Sequence, residues 1–376
     1  MNIFDEIIER HNTESYKWDF FNDPADTIPM PVADMDFRAP EPVLQALREV
    51  TEHGVMGYSI VPEELGEVLQ KRLENLYGWK TEKDWFVWIP GLVPALTATC
   101  KAIGEATDAI ITPIPVYHPF HLAPKWVGKT LQTFPMKLEN NRWTFDFEAL
   151  EANITENTKL FMLCNPHNPA GTVFTKAELE RLADICAKHN IVICSDEIHC
   201  DLILDETKPH IPIAGLSQTA ADLTITLMAP SKTFNIAGLG FSVAIISNPE
   251  LRSQFEAAKM GFFPPLSRYS IKAALAAYRD SKEWHDALLK YLKINHDLLI
   301  ERINALPGLT MYPHEATYLA WIQSDYPDIL EKLLAHGVRV IDGSTFMGKG
   351  FFRLNFACPK SVLEEAISRI EKAIIG

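Results

Sequence analysis

The sequence predicts an α/β fold, with a large domain on a mostly parallel sheet joined to a smaller α+β domain. Three observations carry this. Short apolar runs in the middle of the chain lack polar alternation, helical patterns lie between several of them, and the pattern changes after Pro265. Unalternated runs rich in β-branched residues read as strands covered on both faces, and their alternation with helices reads as a parallel sheet. The 376 residues are roughly two to three domains' worth, enough to build sizeable cores without metals or disulfides.

The N-terminal stretch is irregular and rich in proline, ending in IPMPVADMDFRAPEP. A helical pattern follows over about 41–76, broken near His53-Gly54-Val55-Met56-Gly57-Tyr58. The apolar runs are DAIIT (108–112), KLFMLC (159–164), IVICS (191–195), TITLMA (224–229) and SVAIIS (242–247). Between them, TKAELERLADICAKHN (175–190) carries Thr on its N-cap side and Asn at its end, the boundaries of a helix. One long helical stretch is expected over 267–303, then GLTMYP, ATYLAWIQ, a helix near 326–336, the strand pair GVRVI and FFRLNF, and a final helix, KSVLEEAISRIEKAII. The irregular arm is expected to pack on this second domain. The expected division is 46–270 for the large domain, and 1–45 with 271–376 for the small one.

Hydrophobic residues make up 47% and charged residues 22%, which argues against disorder. Lys and Arg number 35 against 49 Asp and Glu, a net charge of −14 that disfavours nucleic acid or anionic lipid as a partner. The cysteines at 100, 164, 186, 194, 200 and 358 form no C-x-x-C pair and lie mostly in apolar runs, so buried reduced thiols are expected. MNIFDEIIERHN is charged and has no apolar targeting core, and no stretch reaches the length of a bilayer span. A cytoplasmic protein is the expectation.

In open α/β sheets, ligands bind outside the carboxyl ends of the strands, so the residues that follow each run carry the information. DAIIT leads to Tyr117, KLFMLC to Asn165-Pro-His-Asn168-Pro-Ala-Gly171, IVICS to Asp196-Glu-Ile-His199, and TITLMA to Pro-Ser231-Lys232. An aromatic, an amide, an acid with a histidine, and a lysine thus converge on one sheet edge. Lys232 follows a buried run in an apolar context. A desolvated lysine there has a lowered pKa and can attack an aldehyde. Asp196 is either a cap or salt-bridge residue, or a carboxylate paired with a protonated pyridine nitrogen. Tyr117 is a packed loop aromatic or a face for a flat ring. Asn168 and His199 are turn and core residues, or partners of a phenolic oxygen.

Competing motifs fail on context. Gly343-Ser-Thr-Phe-Met-Gly348-Lys349-Gly350 approaches a P-loop, but Gly350 replaces the Ser/Thr and a β-rich segment follows where a helix should start. No G-x-G-x-x-G occurs, and His118-x-x-His121 has no companion carboxylate or cysteine set, so no metal is expected.

The blocks Asn-Pro-x-Asn-Pro-x-Gly, Ser-Asp-Glu-Ile-His and Ser-Lys-Thr-Phe-Asn resemble the class I/II aminotransferase superfamily of pyridoxal 5'-phosphate (PLP) enzymes. More narrowly, MPVADMDFRAPEPV, HGVMGYS, PVYHPF, SDEIHCDLIL, APSKTFNIAGL, ATYLAW and GKGFFRLNFACP resemble the MalY/PatB-type cystathionine β-lyase subgroup, from about Lys17 to the end. The resemblance implies the PLP-dependent transferase fold (fold type I) and a homodimer with the site at the subunit interface. It implies Lys232 as the lysine that carries the cofactor, Asp196 on the pyridine nitrogen, Asn168 and His199 around the ring oxygen, and Tyr117 as the stacking aromatic. Gly91, Leu92 and Val93 match the phosphate cup at a helix start, Ser231 a further phosphate contact, and Tyr58 one from the neighbouring subunit. Arg353 matches the clamp on the substrate α-carboxylate, and Asp34 is assigned with it to the substrate. Two departures stand out: Gly240 where the wider superfamily has a phosphate-binding arginine, and Ala229 where a serine is common.

The implied reaction is α,β-elimination from a small sulfur-containing amino acid such as cystathionine, giving homocysteine, pyruvate and ammonia. Two other readings stand beside it. An aminotransferase would share the early chemistry, and a PLP-binding regulatory protein would act chiefly by binding a partner.

Overall fold

A computed structural model describes residues 2–376. The arm contributes β1 (Ile28–Pro29). The middle of the chain contributes β2 (Phe86–Ile89), β3 (Ala109–Ile114), β4 (Thr130–Glu139), β5 (Arg142–Phe145), β6 (Thr158–Cys164), β7 (Val192–Asp196), β8 (Thr224–Met228) and β9 (Ser242–Ile245). The C-terminal part contributes β10 (Leu309–Met311), β11 (Leu319–Ser324), β12 (Val338–Arg339), β13 (Ile341–Asp342) and β14 (Phe351–Asn355).

The large sheet runs β2-β9-β8-β7-β6-β3-β4-β5. Neighbours from β8 through β7, β6 and β3 to β4 are parallel, while β9 is antiparallel to both β8 and β2. All five expected runs are strands of this sheet. Alternate residues explain the missing polar alternation. Ile110, Leu160, Met162 and Ile225 enter one apolar core, whereas Ile111, Phe161, Leu163 and Ile193 enter another on the opposite face. Each such side chain contributes roughly 1.5–3 kcal/mol by leaving water, so neither face tolerates polar residues.

The second sheet, β10-β11-β14-β13, is antiparallel. Its core joins Phe4, Met30, Met35 and Phe37 of the arm to Leu319, Phe352 and the C-terminal helix Lys360–Ile375. The arm therefore packs on the C-terminal part, and β1 pairs in parallel with β12.

Three sequence expectations change. The long helix over 267–303 is two helices, Arg268–Asp280 and Lys282–Asn304. The break falls at Ser281, whose hydroxyl donates to the Ala276 carbonyl at 3.0 Å. The segment GVRVI divides: Val338–Arg339 pairs with the arm, and only Ile341–Asp342 joins β14. The strand β2 and the β4–β5 hairpin add members the apolar runs did not reveal. All the cysteines at the expected buried positions are free thiols, and no helix among the described residues is long and apolar enough to cross a membrane.

Candidate active site

Because β2, β3, β6, β7 and β8 point the same way, the segments after them meet at one edge. One cavity there is lined by Gly91, Leu92 and Val93 after β2, Tyr117 after β3, and Asn168 after β6. Asp196 and His199 at the end of β7, and Ser231 and Lys232 after β8, complete that edge of the lining. Backbone bonds hold these loops in register. The Tyr117 amide donates to the Asn168 carbonyl at 3.0 Å, and the Asn165 amide to the Asp196 carbonyl at 2.9 Å. Beneath Asp196, buried Glu197 accepts from the Ser195 hydroxyl at 2.9 Å and pairs with the His210 imidazole at 2.8 Å, fixing the turn.

Lys232 and Asp196 share this cavity without forming an ion pair. Burial lowers the Lys232 amine to about 8, against the opposing fields of Asp34 and Asp196. Its Nζ donates to the Ala33 carbonyl at 2.7 Å. Burial raises the Asp196 carboxyl to about 7, and a single amide, that of Ile198, donates to it at 3.1 Å. An amine and a carboxyl are therefore both poised near neutrality, the condition for accepting and releasing protons around pH 7.

Arg353, on β14, is 3% exposed. One Nη donates to Asn168 Oδ1 at 3.1 Å and the other to the Pro31 carbonyl at 2.9 Å. Among the described residues no carboxylate lies within 4.0 Å of it, and its Nε has no acceptor. Burial pulls the group down to about 10. A buried cation with only neutral partners is costly, so this guanidinium retains the capacity to take an anion. By occupying the Asn168 oxygen it also orients that amide, leaving the NH₂ as the donor for a ligand.

Burial, with the fields of Lys232 and Arg353, depresses His199 to about 3, so the ring is neutral. Its Nδ1 is buried and unpartnered. The Tyr117 phenol is raised by burial and stays protonated.

At the far end the helix Leu92–Ala102 begins on Gly91 with no side-chain cap. Its first amides are unsatisfied within the helix and carry the positive end of its dipole. Gly91 has φ +138°, which other residues rarely adopt. Gly240, the departure from the superfamily pattern, also lines the cavity, and a Cβ there would lie 3.2 Å from the Pro90 carbonyl. The groups this end offers an anion are therefore the first helix amides and the Ser231 hydroxyl.

Two residues lie elsewhere. Asp34 does not line the cavity. One of its oxygens is bound to Arg10 at 2.9 Å, the other is buried without a hydrogen-bond partner, and its charge acts on Lys232 through its field. Tyr58 is fully exposed in its own chain. Sequence reasoning missed the Ala33 carbonyl as a wall of the cavity, and the side chains that hold it there. Asn355 Nδ2 donates to the Val32 and Asp34 carbonyls, each at 2.6 Å, and the Tyr318 hydroxyl donates to Ala33 at 3.1 Å. The blocks MPVADMDF, ATYLAW and FFRLNF contained them, but a backbone acceptor leaves no residue-type signal.

The donor set fits a phosphorylated pyridine aldehyde: a buried amine, a carboxyl with one partner, an orphaned imidazole nitrogen, an aromatic face, and a helix N-terminus.

The sequence matches the family described as aminotransferase class I and II over residues 26–370. It is 35% identical to cystathionine beta-lyase PatB of Bacillus subtilis, covering 99% of each chain. Among solved structures, OvoB superposes with a TM-score of 0.97 at 41% identity, covering 100% of this chain and 99% of that one. Cystalysin from Treponema denticola, whose structure contains a pyridoxal 5'-phosphate cofactor, superposes with a TM-score of 0.95 at 31% identity over 100% and 99% of the two chains. With the family match spanning most of its length, this chain belongs to the aminotransferase class I and II family.

Proposed function

We propose that this chain is a PLP-dependent carbon–sulfur β-lyase of the cystathionine β-lyase type. The observation that carries the reading is the Lys232 amine and Asp196 carboxyl, buried together, unpaired and each near neutrality, facing an Arg353 that lacks an anion. The name of the Bacillus relative supports the choice of lyase over aminotransferase.

Bound PLP supplies an electron-poor ring that stabilises negative charge at the substrate Cα. Lys232 would be the attachment point, and its amine, when free, the base that takes the Cα proton. A value near 8 leaves a useful fraction of free amine at neutral pH. Asp196 would hold a proton at the pyridine nitrogen, and Asn168 and His199 would be the partners of the ring oxygen. Tyr117 would offer a face to the ring, while Gly91, Leu92, Val93 and Ser231 would receive the phosphate. Arg353 grips the α-carboxylate, which fixes the Cα–H bond relative to Lys232. The thiolate leaves from Cβ. With cystathionine and one water the products are homocysteine, pyruvate and ammonia.

The unit of function in this reading is a homodimer. Val55, Met56, Tyr58 and Ile60 are 64%, 60%, 100% and 90% exposed in one segment, an apolar ribbon seeking cover. It carries Tyr58 to the partner's phosphate end. The division into 46–270 and 1–45 with 271–376 belongs to the same proposal. The core assignments support a boundary nearer Ser281, since Ile271 and Ala274 pack with the large domain and Leu288 with the small one.

The test supplies cystathionine, and separately an amino donor with 2-oxoglutarate, and measures pyruvate against glutamate. The lyase reading requires pyruvate from the first and its loss in Lys232→Ala. Glutamate alone would overturn it in favour of transamination.

A further inference from the structure

The Ala33 carbonyl has two donors: Lys232 Nζ at 2.7 Å, from the loop after β8, and the Tyr318 hydroxyl at 3.1 Å, beside β11. The segment that carries it cannot swing away. Asn355 holds the carbonyls on either side, Arg353 holds that of Pro31, and Asn235 Nδ2 holds those of Met35 and Phe37. Tyr318 is fully buried, and nothing in the proposed reaction uses it.

From this shared acceptor we infer that the Ala33 carbonyl is the docking point of the Lys232 amine whenever that amine is free, and that Tyr318 is a positioning residue governing how tightly it docks. This rests on Lys232 as the attachment point. A carbonyl that already accepts from one hydroxyl is a weaker acceptor for a second donor. An ammonium donates more strongly than an amine, so weakening the acceptor favours the neutral amine. Tyr318 also keeps the carbonyl satisfied when Lys232 leaves it to engage the cofactor, sparing the cost of a buried orphan acceptor. The other groups facing Lys232 are the charges of Asp34, Asp196 and Arg353 and the neutral His199. Only Tyr318 works through the acceptor itself.

The readout is cofactor attachment, not turnover. PLP is added to cofactor-stripped protein and growth of its visible band is followed against pH. Only the free amine condenses with the aldehyde, with loss of one water, so the midpoint reports the Lys232 amine. Tyr318→Phe is expected to move the midpoint up by about half a unit to one unit. Placing 3-fluorotyrosine at 318, a stronger donor, is expected to move it down. Tyr312→Phe, which removes a hydroxyl bonded to Gln323 at 2.8 Å away from the cavity, should leave it unchanged. Should Tyr318→Phe fail to fold, the fluorotyrosine shift decides alone. A midpoint within about 0.2 unit of wild type in the folded 318 variants, or shifts of the opposite sign, overturns the inference. Attachment that persists in Lys232→Ala would instead overturn the underlying assignment.

Discussion

Replacing Arg353 by glutamine should separate binding from stability, because the two effects have opposite signs. The guanidinium has two neutral acceptors, at 3.1 and 2.9 Å, and no buried counter-charge. Each charge-assisted hydrogen bond contributes about 1.5–3 kcal/mol, so losing a two-pronged grip on a carboxylate costs about 3–6 kcal/mol. That corresponds to a fall in kcat/KM of roughly 10²- to 10⁴-fold. Glutamine can still donate to Asn168 or Pro31, and it removes a buried charge that nothing neutralises. Removing that charge also removes its desolvation cost. The expected result is a steep loss in steady-state lyase assays with a melting temperature equal to or above wild type. A loss below about tenfold, or a melting temperature several degrees lower, would refute the clamp.

Asp196→Asn should abolish turnover yet stabilise the cofactor-free protein as pH rises. The folded carboxyl titrates near 7 and an unfolded one near about 3.9. The folded state therefore binds the extra proton between those values, and wild type loses stability across that window while the variant does not. Thermal melts at pH 5 and pH 8 should show the gap widening, and a constant gap would count against it. Gly91→Ala forces a Cβ onto φ +138°, a strain of about 1–3 kcal/mol. It should weaken PLP affinity about tenfold or more in a spectroscopic titration, and unchanged affinity would remove the phosphate cup from this helix. If Tyr58 serves the neighbouring site, mixing inactive Lys232→Ala with inactive Tyr58→Ala should restore about a quarter of wild-type activity through mixed dimers. Absence of recovery after verified subunit exchange would place Tyr58 elsewhere.

The central strands were legible because both faces are apolar, so strands such as KLFMLC could not be mistaken for half-exposed ones. The hairpin was not, since β4 buries only Phe134 and Met136 and so offers no continuous apolar run. The break at Ser281 was hidden because the amphipathic pattern continues through it. Side chains at strand ends announced themselves: Lys232, Asp196, Asn168, His199 and Tyr117 all line the cavity. What stayed hidden acts through backbone atoms or distance. The Ala33 carbonyl has no signature in residue types, and the pairing of Asp34 with Arg10 joins positions that only folding brings together.

The central claim is a covalent one, and it can be read directly. Borohydride reduction of the purified holoenzyme, followed by proteolysis and mass spectrometry, should find the reduced cofactor on the peptide containing Lys232 and on no other. A label on a different lysine, or none on a protein that still releases pyruvate, would contradict it.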